Sequence, residues 1–298
     1  MGEYDITLKQ DTTKASKNYK VTLKKGTYTI TKATQSAPAA PKVSQKYWTY
    51  FTVKKVKGRE YRLSGKKWGS SCTFENLSPG MTYKVYARKA ADKNHYASKT
   101  SVVTKVKLPA AHLSANAAQT GSTLTVKWSK DPKANSYDVY VWYCGDKKPA
   151  TPTVTKTKNA DNVIITKVND VMLDTKKSIT VKVVAKKNNV AVAKSLALHV
   201  AGSGNRNKTN ATGINGMPKN NKLVLNLNKS KTLKLTARKN GKRGLLSGKH
   251  GAAIRLVSSD DRIISVDGTT VKAVGKGTCK VYVCTLNGIE KTIEITVK

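Results

Sequence analysis

Short runs in which an apolar residue alternates with Lys or Thr recur along the chain, whereas helical periodicity is nearly absent. Tyr83–Ala87, Ile179–Val183 and Leu233–Leu235 are three such runs. A period of two is typical of a strand with one buried face and one solvent-facing face. Turn signals such as Pro79-Gly80 and Asn287-Gly288 separate the runs. The pattern predicts an all-β protein built from sandwiches.

The length and the linkers indicate several small domains. The chain has 298 residues, and a β-sandwich domain occupies about 100 residues. A Pro/Ala stretch at Ser36–Pro41 and a polar stretch at Gly202–Asn205 read as linkers, with a softer boundary at Leu108–Ala110. We therefore predict tandem sandwiches in an elongated array, divided at residues 1–35, 36–109, 110–203 and 204–298.

The first of these segments is too short to close a sandwich. Tyr4–Leu8 alternates like a strand, and Tyr19–Leu23 and Thr27–Ile30 read as a pair hinged at Lys25-Gly26. We predict a partial β segment or hairpin, the tail of a preceding repeat.

Residues 36–109 carry a spacing that a tyrosine corner requires. Leu77, Pro79 and Tyr83 stand in the order Leu-x-Pro-x-x-x-Tyr, in which a Pro turn redirects the chain ahead of the Tyr. This segment resembles a fibronectin type III domain of secreted bacterial proteins. The resemblance implies the following core residues: Phe74, Leu77, Tyr83, Val85 and Ala87.

Residues 110–203 resemble a second, more divergent copy of the same domain. Trp128 stands where that family has a buried Trp, and Ala134-x-x-Tyr137-x-Val139 matches its next strand. The tyrosine corner is missing, because Ile179 stands six positions after Leu173 where a Tyr is expected.

Residues 204–298 are similar to a group 2 bacterial Ig-like domain. Ser258–Asp261, Ile264–Val266 and the Gly275-Lys276-Gly277-Thr278 turn stand in that family's order before the closing Ile293–Val297. Alternation places Cys279 on the core side with Val281 and Val283.

Cysteines and histidines form no recognisable chemical site in the sequence. Cys279 and Cys284 lie about 17 Å apart in one strand, beyond disulfide reach, and no CxxC motif or histidine pair indicates a metal site. The four histidines are scattered over separate segments. We therefore expect four free cysteines, no metal, no cofactor, no catalytic residues and no enzymatic activity.

Charge is the chain's strongest compositional feature. Lys and Arg number 56 against 17 Asp and Glu, a formal net charge of +39. No acidic residue lies between Asp174 and Asp260. This asymmetry predicts attraction to polyanions without specific nucleic-acid recognition, since Lys lacks the forked geometry that reads bases. The predicted contacts are Lys182, Lys186, Lys187, Lys229, Lys231 and Lys234.

Aromatic residues suggest a second kind of contact. They cluster at Tyr47–Phe51 and at Tyr140–Tyr143, and alternation turns about half of each cluster outward. An outward ring can stack on a sugar or a protein partner. The predicted platform consists of Trp48, Tyr50 and Trp142.

The sequence thus favours a non-catalytic extracellular binding or spacer protein, located outside the cell or on a bacterial surface. Its expected partners are polyanionic surface polymers or glycans, or a protein receptor. No apolar run of transmembrane length and no signal peptide is present, so we expect a removed signal or a longer parent protein. The alternatives are an accessory region of a secreted carbohydrate-active or wall-remodelling enzyme, a diffusible polypeptide acting on a host receptor, and a phage virion decoration.

Overall fold

The computed structural model describes residues 2–9, 22, 24–205, 207–247 and 250–298. Strands form its regular structure, and within these ranges the single helical element is a 3-10 turn at Lys219–Asn221. The all-β prediction is confirmed. In the described part of the chain, no helix has the length and apolar character needed to cross a bilayer.

Contacts divide the chain into two compact units. The smaller consists of Met1–Gln45, Phe51–Phe74 and Thr82–Val106. The larger consists of Lys46–Tyr50, Glu75–Met81 and Lys107–Lys298. Two short segments of the first fibronectin-like region therefore belong to the larger unit. The domain bounds drawn from linkers stay a prediction.

An exposed hairpin begins the smaller unit. Strands β1 (Gly2–Ile6) and β2 (Gly26–Ile30) pair antiparallel, with Gly2 opposite Ile30, and every residue in them is exposed. The partner predicted for Thr27–Ile30, Tyr19–Leu23, lies outside the described residues except for Thr22.

The first sandwich consists of two three-stranded sheets, ordered β3-β4-β6 and β5-β7-β8. Both sheets contribute to its core, with Phe51, Val85 and Ala87 fully buried. Three residues predicted to be core are only half-buried: Phe74, Leu77 and Tyr83. The strands are β3 (Val43–Lys46), β4 (Phe51–Val53), β5 (Arg59–Leu63), β6 (Thr73–Phe74), β7 (Thr82–Lys89) and β8 (Thr104–Lys107).

The second sandwich opposes a sheet β10-β11-β14 to a sheet β13-β12-β17-β18-β9, with β19 also paired to β17. One cluster of buried residues joins both sheets. Trp128 and Tyr137, matched to the fibronectin pattern, are both buried there with ring centroids 5.4 Å apart. The strands are β9 (Ala111–His112), β10 (Ala115–Thr120), β11 (Thr123–Trp128), β12 (Ser136–Tyr143), β13 (Val154–Thr157), β14 (Asn162–Ile165), β15 (Lys167–Val168), β16 (Val171–Met172), β17 (Ile179–Lys187), β18 (Val190–Lys194) and β19 (Leu198–Val200).

The third sandwich has a four-stranded sheet β22-β30-β29-β26, in which β22 and β30 are parallel, and a sheet β23-β28-β27. Cys279 lies in its core with Val281 and Val283, as the alternation predicts. The strands are β20 (Lys208–Thr209), β21 (Gly213–Asn215), β22 (Lys222–Leu225), β23 (Ser230–Thr232), β24 (Thr236–Arg238), β25 (Gly244–Leu245), β26 (Ile254–Ser258), β27 (Ile264–Asp267), β28 (Thr270–Ala273), β29 (Gly277–Thr285) and β30 (Glu290–Val297).

Polar contacts join the second and third sandwiches inside the larger unit. Glu290 of β30 lies 2.8 Å from His112 Nε2 and accepts a hydrogen bond from Ser114 Oγ at 2.5 Å. Cys284 donates its thiol to the same carboxylate at 3.3 Å. The His199 amide of β19 donates to the Leu286 carbonyl at 2.7 Å. These bonds fix the two sandwiches against each other.

Candidate polyanion-binding face

The outer face of the larger sheet in the second sandwich gathers lysines and aromatic rings. Ile179, Val181 and Val183 of β17 are fully buried in the core, so the residues between them turn outward. Register places Lys182 opposite Tyr140 of β12. The lysine face, as we call it, consists of Asp138, Tyr140, Trp142, Lys148, Thr180, Lys182, Lys186 and Lys194.

The charge of one lysine on the face is compensated by an ion pair. The Lys186 ammonium forms an ion pair with Asp138, whose side chain is only 4% exposed. Thr155 donates its hydroxyl to the same carboxylate at 2.9 Å. Because a buried carboxylate needs such partners, Asp138 and Lys186 form a closed structural pair. The Lys186 ammonium is therefore already paired and contributes little to the attraction of a ligand.

The other three lysines belong to no ion pair in the described part of the chain, although the Asp138 charge also acts on Lys148. Lys148 Nζ lies 3.2 Å from the Tyr140 ring centroid, a cation–π contact. Lys194 lies opposite Val184 on the same side of the sheet as Lys182. No ion pair among the described residues involves Lys148, Lys182 or Lys194.

These lysines destabilise one another's charge. Burial lowers the pKa of Lys182, and repulsion from Lys194 lowers it further. Desolvation, followed by repulsion from Lys182 and Lys194, lowers the pKa of Lys148. The hydrogen bond to Asp138 instead raises the pKa of Lys186. A bound anion would relieve the repulsion among the unpaired lysines and favour their charged forms.

The six predicted contact lysines are not one site. Lys182 and Lys186 share the lysine face, while the side chain of Lys187 is exposed at the end of β17. The remaining three are exposed on the third sandwich at or beside β23: Lys229, Lys231 and Lys234. Sequence reasoning missed two lysines of the face. Lys148 lies outside the acid-free stretch and reaches the face through a loop, while Lys194 lies inside the stretch at the end of β18.

The predicted aromatic platform does not exist as one surface. Tyr50 is fully buried, and its hydroxyl donates to the Asp261 carboxylate while Arg262 stacks on its ring at 4.0 Å. Trp48 is half-buried, and its Nε1 donates to the Ser259 carbonyl at 3.0 Å. Both side chains therefore contact the third sandwich and are not free to stack on a ligand. The placement of Tyr50 on an outward platform is corrected.

Trp142 is the predicted platform residue that lies on the lysine face. It is half-buried opposite Thr180 and lines a cleft of about 670 Å³. The same cleft brings together three residues that the sequence left unconnected, Cys144, His199 and His250. Their spacing of 51 to 55 positions hides the cluster from any motif search.

Comparisons with known proteins add little about a site. No family model and no curated protein matches the chain. Among solved structures, it is similar to a two fibronectin type III domain segment from chicken tenascin, with 17% identity and a TM-score of 0.36 over 55% of this chain and 97% of that chain. It is also similar to the FN1-FN3 domains of chicken CNTN1, with 14% identity and a TM-score of 0.24 over 88% and 99%. TM-scores this low support no statement about a ligand or an activity.

Proposed function

We propose that the protein is a non-catalytic extracellular binding or spacer protein whose lysine face attracts polyanionic polymers, such as sulfated glycans or cell-wall polymers. The observation that carries this proposal is a set of three lysines on one sheet face that form no ion pair with any described residue: Lys148, Lys182 and Lys194. Ammonium groups at strand spacing can contact several charges of a linear polymer at once and release its counter-ions.

The residues of the face favour attraction by charge over recognition of a sequence. Lys is a hydrated point charge without the planar fork of Arg, and no Arg belongs to the face. Trp142 at one end offers a ring that can stack on a sugar. We therefore expect binding that follows the charge density of the polymer and ignores the order of its units.

Cys144, a half-buried thiol that lines the cleft beside Trp142, has chemistry that agrees with a non-catalytic role. A nucleophilic cysteine needs a lowered pKa. Burial instead raises the pKa of the Cys144 thiol, and the hydrogen bond from Thr180 offsets this only in part.

The proposal also includes a bacterial origin, a surface location and the Ig-like assignment of residues 204–298. An accessory region of a secreted enzyme is the second candidate, because such regions also bind polymers.

Charge-matched variants of the whole chain test the proposal. The triple variant Lys148→Ala, Lys182→Ala, Lys194→Ala removes the unpaired charges of the face. Its control removes three exposed lysines of the smaller unit, Lys55, Lys57 and Lys99. A lysine at an anionic surface contributes about 1 kcal/mol, so the first variant should bind heparin roughly 100-fold more weakly. The control should lose only a few-fold.

Calorimetric titration at low salt measures both affinities, and thermal unfolding verifies that each variant is folded. Equal losses in the two triple variants would show that net charge alone attracts the polymer and would remove the lysine face from the proposal. Undetectable binding of heparin and teichoic acid by the unaltered protein would reject polyanion binding altogether.

A further inference from the structure

Cys144, His199 and His250 converge from three separate parts of the larger unit. Cys144 follows β12, and its amide donates to the Ser178 carbonyl at 2.8 Å. His199 is held in β19, while His250 precedes β26. One ligand atom from each of the three residues lies within 4.8 Å of the other two.

The spacing of these atoms matches a tetrahedral metal centre. Zinc binds sulfur at about 2.3 Å and imidazole nitrogen at about 2.0–2.1 Å, so two such ligands in a tetrahedron lie about 3.5 Å apart. Cys144 Sγ and His199 Nδ1 are 3.7 Å apart. The two imidazole rings stand edge to face with centroids 5.1 Å apart, so small side-chain rotations bring the third ligand into place.

A hydroxyl group beside two of the ligands also suits a metal. The Thr180 hydroxyl lies 3.2 Å from Cys144 Sγ and 3.3 Å from His199 Nδ1, where it can donate to a thiolate. Burial alone disfavours the negative thiolate. A bound cation displaces the thiol proton to solvent and stabilises the thiolate by its positive charge.

We propose that Cys144, His199 and His250 bind one zinc ion, with the fourth position open to the cleft for water. One thiolate and two imidazoles favour zinc over magnesium or calcium, which prefer oxygen ligands. Lys177 lines the cleft and Arg255 lies nearby, but the thiolate cancels one charge of the ion. Because His250 belongs to the third sandwich and the other ligands to the second, the ion ties these sandwiches together. This site is independent of polyanion binding.

A second group of metal-ligating residues carries no such proposal. His112, Cys284 and Glu290 also lie within reach of one another. Glu290 already accepts hydrogen bonds from Ser114 and Cys284 and lies 2.8 Å from His112 Nε2. Both carboxylate oxygens are thus engaged, and the group is a closed contact between sandwiches.

Cobalt binding tests the site in the whole chain with its cysteines reduced. Co²⁺ bound by a thiolate and two imidazoles in a tetrahedron gives intense visible bands and a thiolate-to-cobalt charge-transfer band. We expect one Co²⁺ per chain, displaced by one equivalent of Zn²⁺. Cys144→Ser should abolish the charge-transfer band. His250→Ala should lower the cobalt affinity more than about tenfold, because loss of a residue that only supports a ligand already costs about that much.

Cys72→Ser is the matched control, since Cys72 is also a half-buried free cysteine and belongs to no group of metal-ligating residues that the described ranges contain. It should leave the spectrum and the affinity unchanged. The site is refuted if the unaltered chain shows only weak octahedral cobalt bands, or if Cys72→Ser loses the charge-transfer band while Cys144→Ser retains it. His250→Ala keeps the test decisive if Cys144→Ser fails to fold.

Discussion

At the scale of single residues, Glu290 shows how a buried carboxylate can stabilise a contact between sandwiches. Burial alone would raise its pKa, but hydrogen bonds from His112, Ser114 and Cys284 hold the pKa below the ordinary value of 4.5. A carboxyl whose pKa is lowered on folding stabilises the fold above its unfolded pKa. That stability is lost as the pH falls through the folded pKa.

Glu290→Gln should therefore destabilise the protein at pH 7 and matter less in acid. We expect a loss of about 1.5–3 kcal/mol at pH 7, the range for hydrogen bonds to a charged group. The gap from the unaltered protein should narrow below about pH 4.5. Urea unfolding at several pH values measures it. Glu294→Gln is the control, since Glu294 is 46% exposed in its pair with Lys222 and should cost less than about 1 kcal/mol. A Glu290→Gln gap independent of pH would contradict the account.

At the scale of elements, the turn between β29 and β30 makes a contact that only glycine permits. Gly288 has a φ of +91°, and a Cβ there would lie 2.1 Å from the Ala115 carbonyl oxygen. Asn287 beside it accepts a hydrogen bond from the Ala117 amide at 3.0 Å. The turn thus packs directly against β10 of the second sandwich. Glycine is required at position 288 because the backbone of β10 is too close for a Cβ and because φ is positive.

Gly288→Ala should cost about 3 kcal/mol, because strain at positive φ and overpacking add together. Gly268→Ala separates the two effects. Gly268 has a φ of +55°, and no atom lies within 4 Å of the place a Cβ would take, so this substitution should cost only about 1–2 kcal/mol. Chemical unfolding of the two variants gives the difference. Equal losses would mean that the turn can move away from Ala115.

Strand identity was readable from the sequence, whereas strand partners were not. Ile179–Val183 alternates in the sequence, and in β17 its odd positions are buried while Lys182 faces outward. The parallel pairing of Lys222–Leu225 with Glu294–Val297 leaves no local signal, since the two strands lie about 70 positions apart. The same holds for Tyr50, whose partner Asp261 lies 211 positions away. Alternation reports which face is buried but not what covers the other face.

At the scale of the whole molecule, we expect a net charge of +39 to attract polyanions. A diffuse attraction and a local one predict different effects of single lysines. Asp138 neutralises Lys186 from outside the acid-free stretch, and Lys148 joins the lysine face from outside it too. The local density of unpaired charge therefore differs from the density along the sequence. Binding should depend on where a lysine lies more than on how many there are.

Salt dependence measures that difference directly. Each lysine that neutralises a phosphate of duplex DNA adds about 0.9 to the slope of log affinity against log salt concentration. The triple variant at Lys148, Lys182 and Lys194 should therefore reduce the slope by about 3, whatever the DNA sequence. The control triple at Lys55, Lys57 and Lys99 carries the same net charge and should keep the slope of the unaltered protein. Fluorescence titrations over a range of salt concentrations give the three slopes. Equal slopes for the two variants would mean that the lysine face binds no more phosphates than any other surface. The counter-ions would then be released around the whole molecule.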